Sequence, residues 1–242
     1  MTRRTRNLAR EALDLAQGEP ARAIELATEA LTGSLEPGDA AVARWALGLA
    51  RRELDDLEGA VEALRTAIST AEGTGDAALG AEITSSLAWT VARMGELQEA
   101  LQLTDVAARS LSGAAAARND MQRALIHQRL GDNRQALHSY AAALEGLEAA
   151  GDRVGAARLR INRSIIHVYS GDVDAAVEDL EQAHRIAVEE GQTLLEAACA
   201  HNLGFSHGRR RDVPQALVWF DRAEQIFTRL RAGQRMAALL SD

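Results

Sequence analysis

Apolar residues recur every three or four positions through most of the chain, and short polar turns containing Gly or Asp interrupt them. This spacing places the apolar side chains on one face of an amphipathic α-helix. The pattern predicts paired helices, each pair joined by a turn of two or three residues. First helices are expected over 3–17, 39–53, 77–94, 115–130, 153–169 and 193–208, and second helices over 20–32, 57–71, 97–110, 133–149, 173–189 and 213–230.

One short segment recurs six times: an apolar residue, a turn, and an alanine that opens an apolar helical stripe. The alanine stands at 23, 60, 100, 136, 176 and 216, so the steps are 37, 40, 36, 40 and 40 residues. A fixed period of this length indicates a helical-repeat protein. We therefore predict one domain over 1–242 with units at about 1–36, 37–75, 76–112, 113–151, 152–191 and 192–231, and the start of a further helix at 232–242.

The turn residues agree with these boundaries. Asp132 and Asp212 each stand three residues before a glutamine, which is the spacing of a helix N-cap and its partner. Pro20 and Pro214 fall in the first turn of a second helix, where a missing N–H does no harm. Glycines in the left-handed conformation are expected where second helices stop, at Gly75, Gly151 and Gly191.

The units resemble the tetratricopeptide repeat. That pattern has Leu-Gly in the first helix and Ala-x3-aromatic with a further Ala in the second, as at Leu203, Gly204, Ala216, Phe220 and Ala223. The same arrangement recurs at Leu47, Gly48, Ala60, Leu64 and Ala67. This chain departs from the pattern in its longer period and in a Gly-Asp where the pattern has proline. The resemblance implies an all-α, right-handed superhelical solenoid of about six tetratricopeptide-like helical hairpins.

The chain also resembles, along nearly its whole length, the N-terminal repeat region of bacterial CHAT-domain proteins, in which such repeats precede a caspase-like peptidase domain. The segments that carry this resemblance are MQRALIHQRLGD at 121–132, RINRSIIHVYSGD at 160–172 and AHNLGFSHGRRRDVPQALVWFDRAE at 200–224. No peptidase domain is present in the sequence, so the His and Cys of such a domain have no counterpart here. The resemblance implies a bacterial sensor or regulatory repeat region.

Composition excludes several classes of partner. The formal net charge is −8, and all 27 basic residues are arginine. Because nucleic acids and anionic membranes attract basic surfaces, we expect neither as a partner. No apolar run approaches the length of a membrane helix, and no secretory leader is seen. A single cysteine, Cys199, is typical of a reducing, cytoplasmic location.

The cysteine and histidines, which are candidate catalytic or metal-binding residues, are in positions that favour a structural role. Cys199 and His201 point in opposite directions on a helix, so a catalytic pair is not expected. His127, His167 and His207 are equivalent positions, and helices 8–10 Å apart hold such residues too far apart for one metal ion. We interpret them as packing residues, with a metal site or proton relay as the alternative. The sequence predicts no catalytic residue, no metal and no cofactor.

Two arginines stand where other units have leucine. Arg123 and Arg163 lie one turn before two of these histidines. An unpaired buried charge is costly, so each is expected to be paired or to extend to solvent. No partner can be named from the sequence.

The tetratricopeptide resemblance implies that first helices line a concave groove. Residues expected to face it are Trp45, Trp89, Arg93, Arg118, Met121, Leu125, Arg129, Arg158, Ile161, Asn162, Ile165, His201, Asn202, Phe205 and Arg209. With Arg52, the six arginines minus Glu53 and Glu82 give this rim a charge of +4. Such a groove suits an acidic and apolar protein segment or a CHAT peptidase domain. Alternatively, the apolar residues are core and the arginines are solvated.

Together these patterns predict a non-catalytic scaffold that binds a protein or peptide, as the regulatory region of a CHAT-type peptidase or as a free-standing adaptor. An exposed apolar patch is also expected along the last second helix, at Ala223, Ile226, Phe227 and Leu230.

Overall fold

A computed structural model describes the backbone of residues 2–241 and the side chains of residues 4–230. Within that range there are twelve helices and no strand, which confirms the predicted all-α helical-repeat class. The helices are α1 Thr2–Leu15, α2 Pro20–Thr32, α3 Pro37–Glu53, α4 Leu57–Glu72, α5 Ala77–Met94, α6 Leu97–Ala108, α7 Gly113–Arg129, α8 Asn133–Ala149, α9 Arg153–Ser170, α10 Val173–Glu189, α11 Thr193–Arg209 and α12 Val213–Ser241. Their bounds agree with the predicted ones within about two residues, except that α12 continues past 230. The predicted further helix at 232–242 lies outside the residues whose side chains are described.

Aspartates begin half of the helices. The carboxylate of Asp132 accepts the backbone N–H of Gln135 at 3.1 Å, and Asp212 accepts that of Gln215 at 3.4 Å, which confirms the two predicted caps. The same bond forms at four further starts, from Gly59, Leu79, Gly155 and Ala175 to Asp56, Asp76, Asp152 and Asp172. The caps satisfy N–H groups that have no partner inside the helix.

The turn glycines adopt the expected left-handed conformation. Gly75, Gly151 and Gly191 have φ values of 75°, 71° and 64°. A side chain at such an angle is strained, so glycine lets each second helix stop and the chain reverse.

The chain divides into two compact units, residues 1–131 and 132–242. In the first unit, α4, α5 and α7 contribute Leu64, Ile83, Leu87 and Ile126 to one apolar core. Gly48 of α3 lies so close to α4 that a Cβ atom there would come within 2.6 Å of Leu64 Cγ. Small residues are therefore required where the paired helices touch.

In the second unit, α9, α10 and α11 enclose a core that includes Leu180, Cys199 and Leu203. Gly204 of α11 is also at a close helix contact, as Gly48 is in the first unit. A Cβ atom at Gly204 would lie 2.8 Å from the ring of Phe220 on α12. The expected exposed patch on α12 is partly wrong: Ala223 and Ile226 are buried, while Phe227 is exposed. The rotation of α12 about its axis, which is set by its packing against neighbouring helices, turns Ala223 and Ile226 inward.

The structure supplies the partners of the two arginines at leucine positions. Arg163 donates from Nε and Nη2 to the two oxygens of Asp179 on α10, at 2.8 and 2.6 Å. These hydrogen bonds raise the pKa of Arg163, and they satisfy a carboxylate that is almost fully buried. Arg123 pairs with Asp120 at 2.9 Å on its own helix. Both are paired, as expected.

Candidate functional site

A cavity of about 420 Å³ opens on the first helices of the N-terminal unit. Most of its lining comes from α3, α5 and α7, and the residues are Gln17, Trp45, Leu49, Arg52, Glu82, Ser85, Ser86, Trp89, Leu111, Ala115, Arg118, Met121, Gln122 and Leu125. Five of the predicted groove residues are brought together here: Trp45, Trp89, Arg118, Met121 and Leu125. A concavity of this size accepts a few side chains of a bound segment.

Hydrogen bonds between helices hold the floor of this cavity in place. Trp45 Nε1 on α3 donates to Ser86 Oγ on α5 at 2.9 Å. Ser85 Oγ on α5 donates to Gln122 Oε1 on α7 at 3.0 Å. The indole ring of Trp45 is thereby fixed in orientation, and its apolar edge stays half-buried at the cavity wall. A preformed apolar wall of this kind lowers the entropy lost on binding.

The charged side chains that line the cavity differ in how accessible they are to a ligand. Arg52 is 6% exposed, its Nη2 contacts Glu53 Oε1 at 3.0 Å, and burial lowers the pKa of its guanidinium. Arg118 is exposed at the mouth and makes no ion pair or hydrogen bond with any described residue. Glu82 is half-buried in the lining. Arg118 is therefore the cation that an incoming carboxylate can reach.

Two predicted rim arginines make structural bonds. Arg93 on α5 donates from Nη1 to the carbonyl of Arg52 and from Nη2 to Asp55, both at 2.9 Å. Arg129 on α7 donates from Nη1 to the carbonyl of Ala92 at 2.8 Å. Each bond joins the end of one first helix to the end of the preceding first helix. A cation there neutralises the partial negative charge at the C-terminus of a helix, where each of these carbonyls also accepts a backbone N–H from the following turn, and neither arginine lines the cavity.

The C-terminal unit carries a second, smaller concavity of about 240 Å³ on α9 and α11. It contains the predicted residues Ile165, His201, Asn202 and Phe205. Tyr169, which the sequence analysis missed, belongs to the same lining and is 73% exposed. In other repeats Arg93 and Arg129 occupy the position of Tyr169. Because those two arginines were predicted to face the groove, the same position could have indicated Tyr169.

The remaining predicted residues of this unit lie elsewhere. Ile161 is buried and belongs to the core, and Asn162 is half-buried outside the described lining. Arg158 and Arg209 are exposed, and neither makes an ion pair or hydrogen bond with a described residue. Only part of the predicted set therefore lines the two concavities.

The histidines and the cysteine are held in structural surroundings. His167 Nε2 lies 4.0 Å from Asp179 Oδ2, and His207 Nδ1 lies 3.6 Å from Asp212 Oδ2. Across the described side chains, no group of three His, Cys, Asp or Glu residues could hold a metal ion. Burial raises the pKa of Cys199 to about 12, while His201 is exposed and packs edge-on against Phe220. A thiol with that pKa is not a nucleophile at neutral pH.

Within the part of the chain that the structure describes, every helix is too short or too polar to cross a membrane.

One family model matches part of the chain. Residues 114–188 match the sequence model of the tetratricopeptide repeat. This range runs from α7 to α10 and holds two of the six predicted units. No curated protein sequence is significantly similar to the chain.

Solved structures show the same fold. BtubC (BKLC) from P. vanneervenii has a TM-score of 0.74 at 22% identity, over 95% of this chain and 91% of that one. A STAND signal-transduction ATPase with a tetratricopeptide-repeat sensor, from Pyrococcus horikoshii, has a TM-score of 0.75 at 17% identity, over 91% of this chain and 34% of the ATPase. A Rap protein in complex with competence and sporulation factor has a TM-score of 0.67 at 14% identity, over 84% of this chain and 57% of the Rap protein. The chain therefore has the helical-repeat fold of tetratricopeptide proteins, and residues 114–188 carry the sequence pattern of that family.

Proposed function

We propose that this chain is a non-catalytic protein-interaction scaffold that binds a partner segment on its first helices. The observation that carries the proposal is the cavity of about 420 Å³ with two tryptophans in its wall and Arg118 free at its mouth. Tryptophan and arginine are the residues that dominate binding energy at protein interfaces. The tetratricopeptide-type fold supports the same role, and a Rap protein of this fold is seen with competence and sporulation factor.

The ligand we propose is a protein segment with apolar side chains and an acidic group. Apolar side chains would insert against Trp45, Trp89 and Leu125, which line the same cavity. A carboxylate would meet Arg118, whose guanidinium can donate two parallel hydrogen bonds. Apolar burial supplies most of the affinity, and the arginine selects acidic segments.

We propose a second contact area for the same class of ligand on α9 and α11. Ile165, Tyr169 and Phe205 are exposed there around one concavity, an arrangement that is unusual for large apolar side chains. Asn202 lies in the lining and can hydrogen-bond a ligand backbone.

The cellular context is proposed from the sequence. The segments at 121–132, 160–172 and 200–224 resemble the repeat region of CHAT-domain proteins, so the partner we propose belongs to a bacterial, cytoplasmic CHAT-type peptidase system. In that context the repeats recognise a protein signal and hold or regulate the peptidase. A free-standing adaptor with the same groove is the alternative, and the reading frame that follows the coding sequence distinguishes the two.

The proposal is tested with peptides selected on the intact chain from a displayed random library and then synthesised. Selected peptides are expected to be rich in apolar and acidic residues, and their binding is expected to quench tryptophan fluorescence. Trp89→Ala should weaken binding at every salt concentration, since it removes apolar contact. Arg118→Gln should weaken binding about tenfold at low salt and less at high salt, because an exposed charge is screened.

Arg109→Gln is the matched control, since Arg109 is exposed in the same unit but outside the cavity lining. It removes one positive charge and is expected to leave the affinity unchanged. Peptides whose affinity is the same for the wild type, Trp89→Ala and Arg118→Gln would overturn the proposed site.

A further inference from the structure

An apolar face of α12 is exposed to solvent in the C-terminal unit. Leu217, Phe220 and Phe227 are 58%, 36% and 42% exposed. Their spacing places them on one face of the helix. His201 of α11 contacts this face, with its ring 5.5 Å from that of Phe220. Two of the three phenylalanines of the whole chain lie here, although such side chains are normally buried.

In the other second helices, the positions in register with Phe220 are buried, and those in register with Phe227 are buried wherever the helix extends that far. The residues in register with Phe220 are Ala27, Leu64, Thr104, Tyr140 and Leu180, and all are 0% exposed. The residues in register with Phe227 include Ala71, Leu147 and Ala187, which are at most 2% exposed. In each of these units the second helix packs against the next first helix, as α4 does on α5 and α10 on α11. The α12 face therefore has the shape of a surface that a further helix covers.

The negative charge on this face of α12 determines which residue a covering helix can place opposite it. Glu224 lies between Phe220 and Phe227 and is exposed. Its equivalent in α10 is His184, whose Nε2 lies 3.9 Å from Glu196 Oε1 of α11. Asp221 and Arg229 are exposed next to Glu224, which leaves this area with one net negative charge. A helix seated on α12 as α11 is seated on α10 would place the residue equivalent to Glu196 opposite a carboxylate, where a glutamate would be repelled.

We propose that the α12 face is a docking site for an amphipathic helix of a partner protein, with a lysine or arginine opposite Glu224. The apolar positions follow from α11, where Leu195, Cys199 and Leu203 pack in the core shared with α10. The partner helix carries apolar residues at i, i+4 and i+8 and the basic residue at i+1. This site shares no residue with the first-helix cavity lined by Trp45 and Trp89, whereas it adjoins the concavity on α9 and α11 through His201.

The probe is a 17-residue peptide with the sequence Thr193–Arg209, amidated and fluorescently labelled, carrying Cys199→Ala and Glu196→Lys. The matched probe keeps Glu196. Fluorescence anisotropy with the full chain is expected to show at least about tenfold tighter binding of the Glu196→Lys peptide, and circular dichroism a gain of helix on binding.

Variants of the chain test whether the peptide binds at the α12 face. Phe227→Glu should abolish binding, whereas Val218→Glu should leave it unchanged. Val218 is 59% exposed on the same helix, in register with the exposed Glu62, Gln102, His138 and Glu178, so it is a control for a new acidic group outside the face. Glu224→Lys should reverse the preference between the two peptides, and this change is at an exposed position that does not threaten folding.

Three results would overturn the proposal. One is equal affinity of the two peptides, and another is equal loss of binding with Phe227→Glu and Val218→Glu. The third is a concentration-dependent dimer of the chain that Phe227→Glu dissociates, since this result assigns the face to a second copy. The fluorescence quenching by ligands of the first-helix cavity is expected to be unaffected by Phe227→Glu.

Discussion

At the residue scale, the closest helix contacts depend on glycines inside first helices. Gly48 faces the fully buried Leu64 and the carbonyl of Ala60, which lie 2.6 and 3.2 Å from the position of an added Cβ atom. Gly204 faces the ring of Phe220, which is partly exposed and therefore freer to move. The two positions share a sequence pattern but differ in the room around them.

We expect Gly48→Ala to lower the free energy of unfolding by about 1–3 kcal/mol, since the added methyl group overpacks a buried contact. Gly204→Ala should have a smaller effect because the ring of Phe220 can shift. Urea denaturation followed by circular dichroism measures both.

Gly80→Ala is the matched control for these variants. Gly80 is inside α5, and nothing lies within 4 Å of a Cβ atom added there. This change should stabilise the chain by about 0.5–1 kcal/mol, because alanine loses less conformational freedom on folding than glycine. Destabilisation by Gly80→Ala equal to that by Gly48→Ala would contradict the packing described.

A second residue-scale effect concerns pH. His184 of α10 is half-buried, with its Nε2 3.9 Å from Glu196 Oε1 of α11 and its ring edge-on to that of Trp219 on α12 at 5.2 Å. Desolvation lowers the pKa of His184, Arg222 lowers it further, and Glu196 opposes both. Its Nε2 has no hydrogen-bond partner among the described residues. Folding therefore favours the neutral form of this imidazole.

Because the pKa of His184 is lower in the folded state, the unfolded chain binds the proton more readily as the pH falls through about 6.5, the ordinary value for histidine. The stability that His184 contributes is present above that pH and is lost below it. We expect the wild type to lose more unfolding free energy between about pH 7.5 and pH 5.5 than His184→Phe, which keeps the contact with Trp219. Equal losses in the two proteins would show that His184 is not responsible.

At the element scale, the helix starts show what a single side chain adds to a common backbone. Asp152 and Gln192 precede equivalent first helices with φ and ψ of −80° and 75° and of −86° and 75°. Asp152 accepts the N–H of Gly155 at 2.8 Å, whereas the side chain of Gln192 makes no cap. The geometry for capping is present at both, and only the carboxylate is missing at the second.

Asp152→Ala should therefore lower the unfolding free energy by about 1 kcal/mol, and Gln192→Asp should raise it by a similar amount. Thermal and urea denaturation measure both changes. Glu62→Ala is a suitable control, since Glu62 is exposed in the middle of α4 and makes no ion pair with a described residue. A Gln192→Asp chain no more stable than the wild type would show that the carboxylate cannot reach the N–H groups of α11.

At the scale of the whole molecule, two groups of arginines differ in their contacts: some bond to the backbone of a neighbouring helix, and others make no bond to a described residue. Arg93 and Arg129 join the ends of consecutive first helices through backbone carbonyls. Arg118 makes no described bond and stands at the mouth of the cavity. In a chain with a net charge of −8, such local placement of cations leaves a positive charge available on one surface, and this is the charge on which the proposed selection of acidic segments depends.

We expect Arg129→Met to lower the unfolding free energy by about 1 kcal/mol, since the Ala92 carbonyl loses a charged donor. It should leave the affinity for selected peptides unchanged. Arg118→Gln should do the opposite. The two variants are compared by denaturation and by peptide titration, and a loss of affinity with Arg129→Met would place this residue in the binding surface after all.

The helices were predictable because their determinants are local. Apolar spacing, the aspartates before Gln135 and Gln215, and the left-handed glycines act over about four residues along the chain, so each helix could be located without knowledge of its neighbours. The repeat period of about 40 residues added the pairing of helices into units. The sequence by itself therefore determined the all-α helical-repeat class and nearly all helix bounds.

The tertiary structure decided which side chains meet between helices. Arg129 reaches a carbonyl 37 residues away, and Arg163 finds Asp179 on the neighbouring helix, choices that depend on helix rotation and separation. The same rotation turned Ile226 inward and left Phe227 exposed, although both are large apolar residues on one helix. Composition and periodicity cannot fix such rotation, because several faces of an alanine-rich helix are apolar enough to be buried. The periodicity is a property of the chain, and the surfaces that can bind a partner arise only from packing.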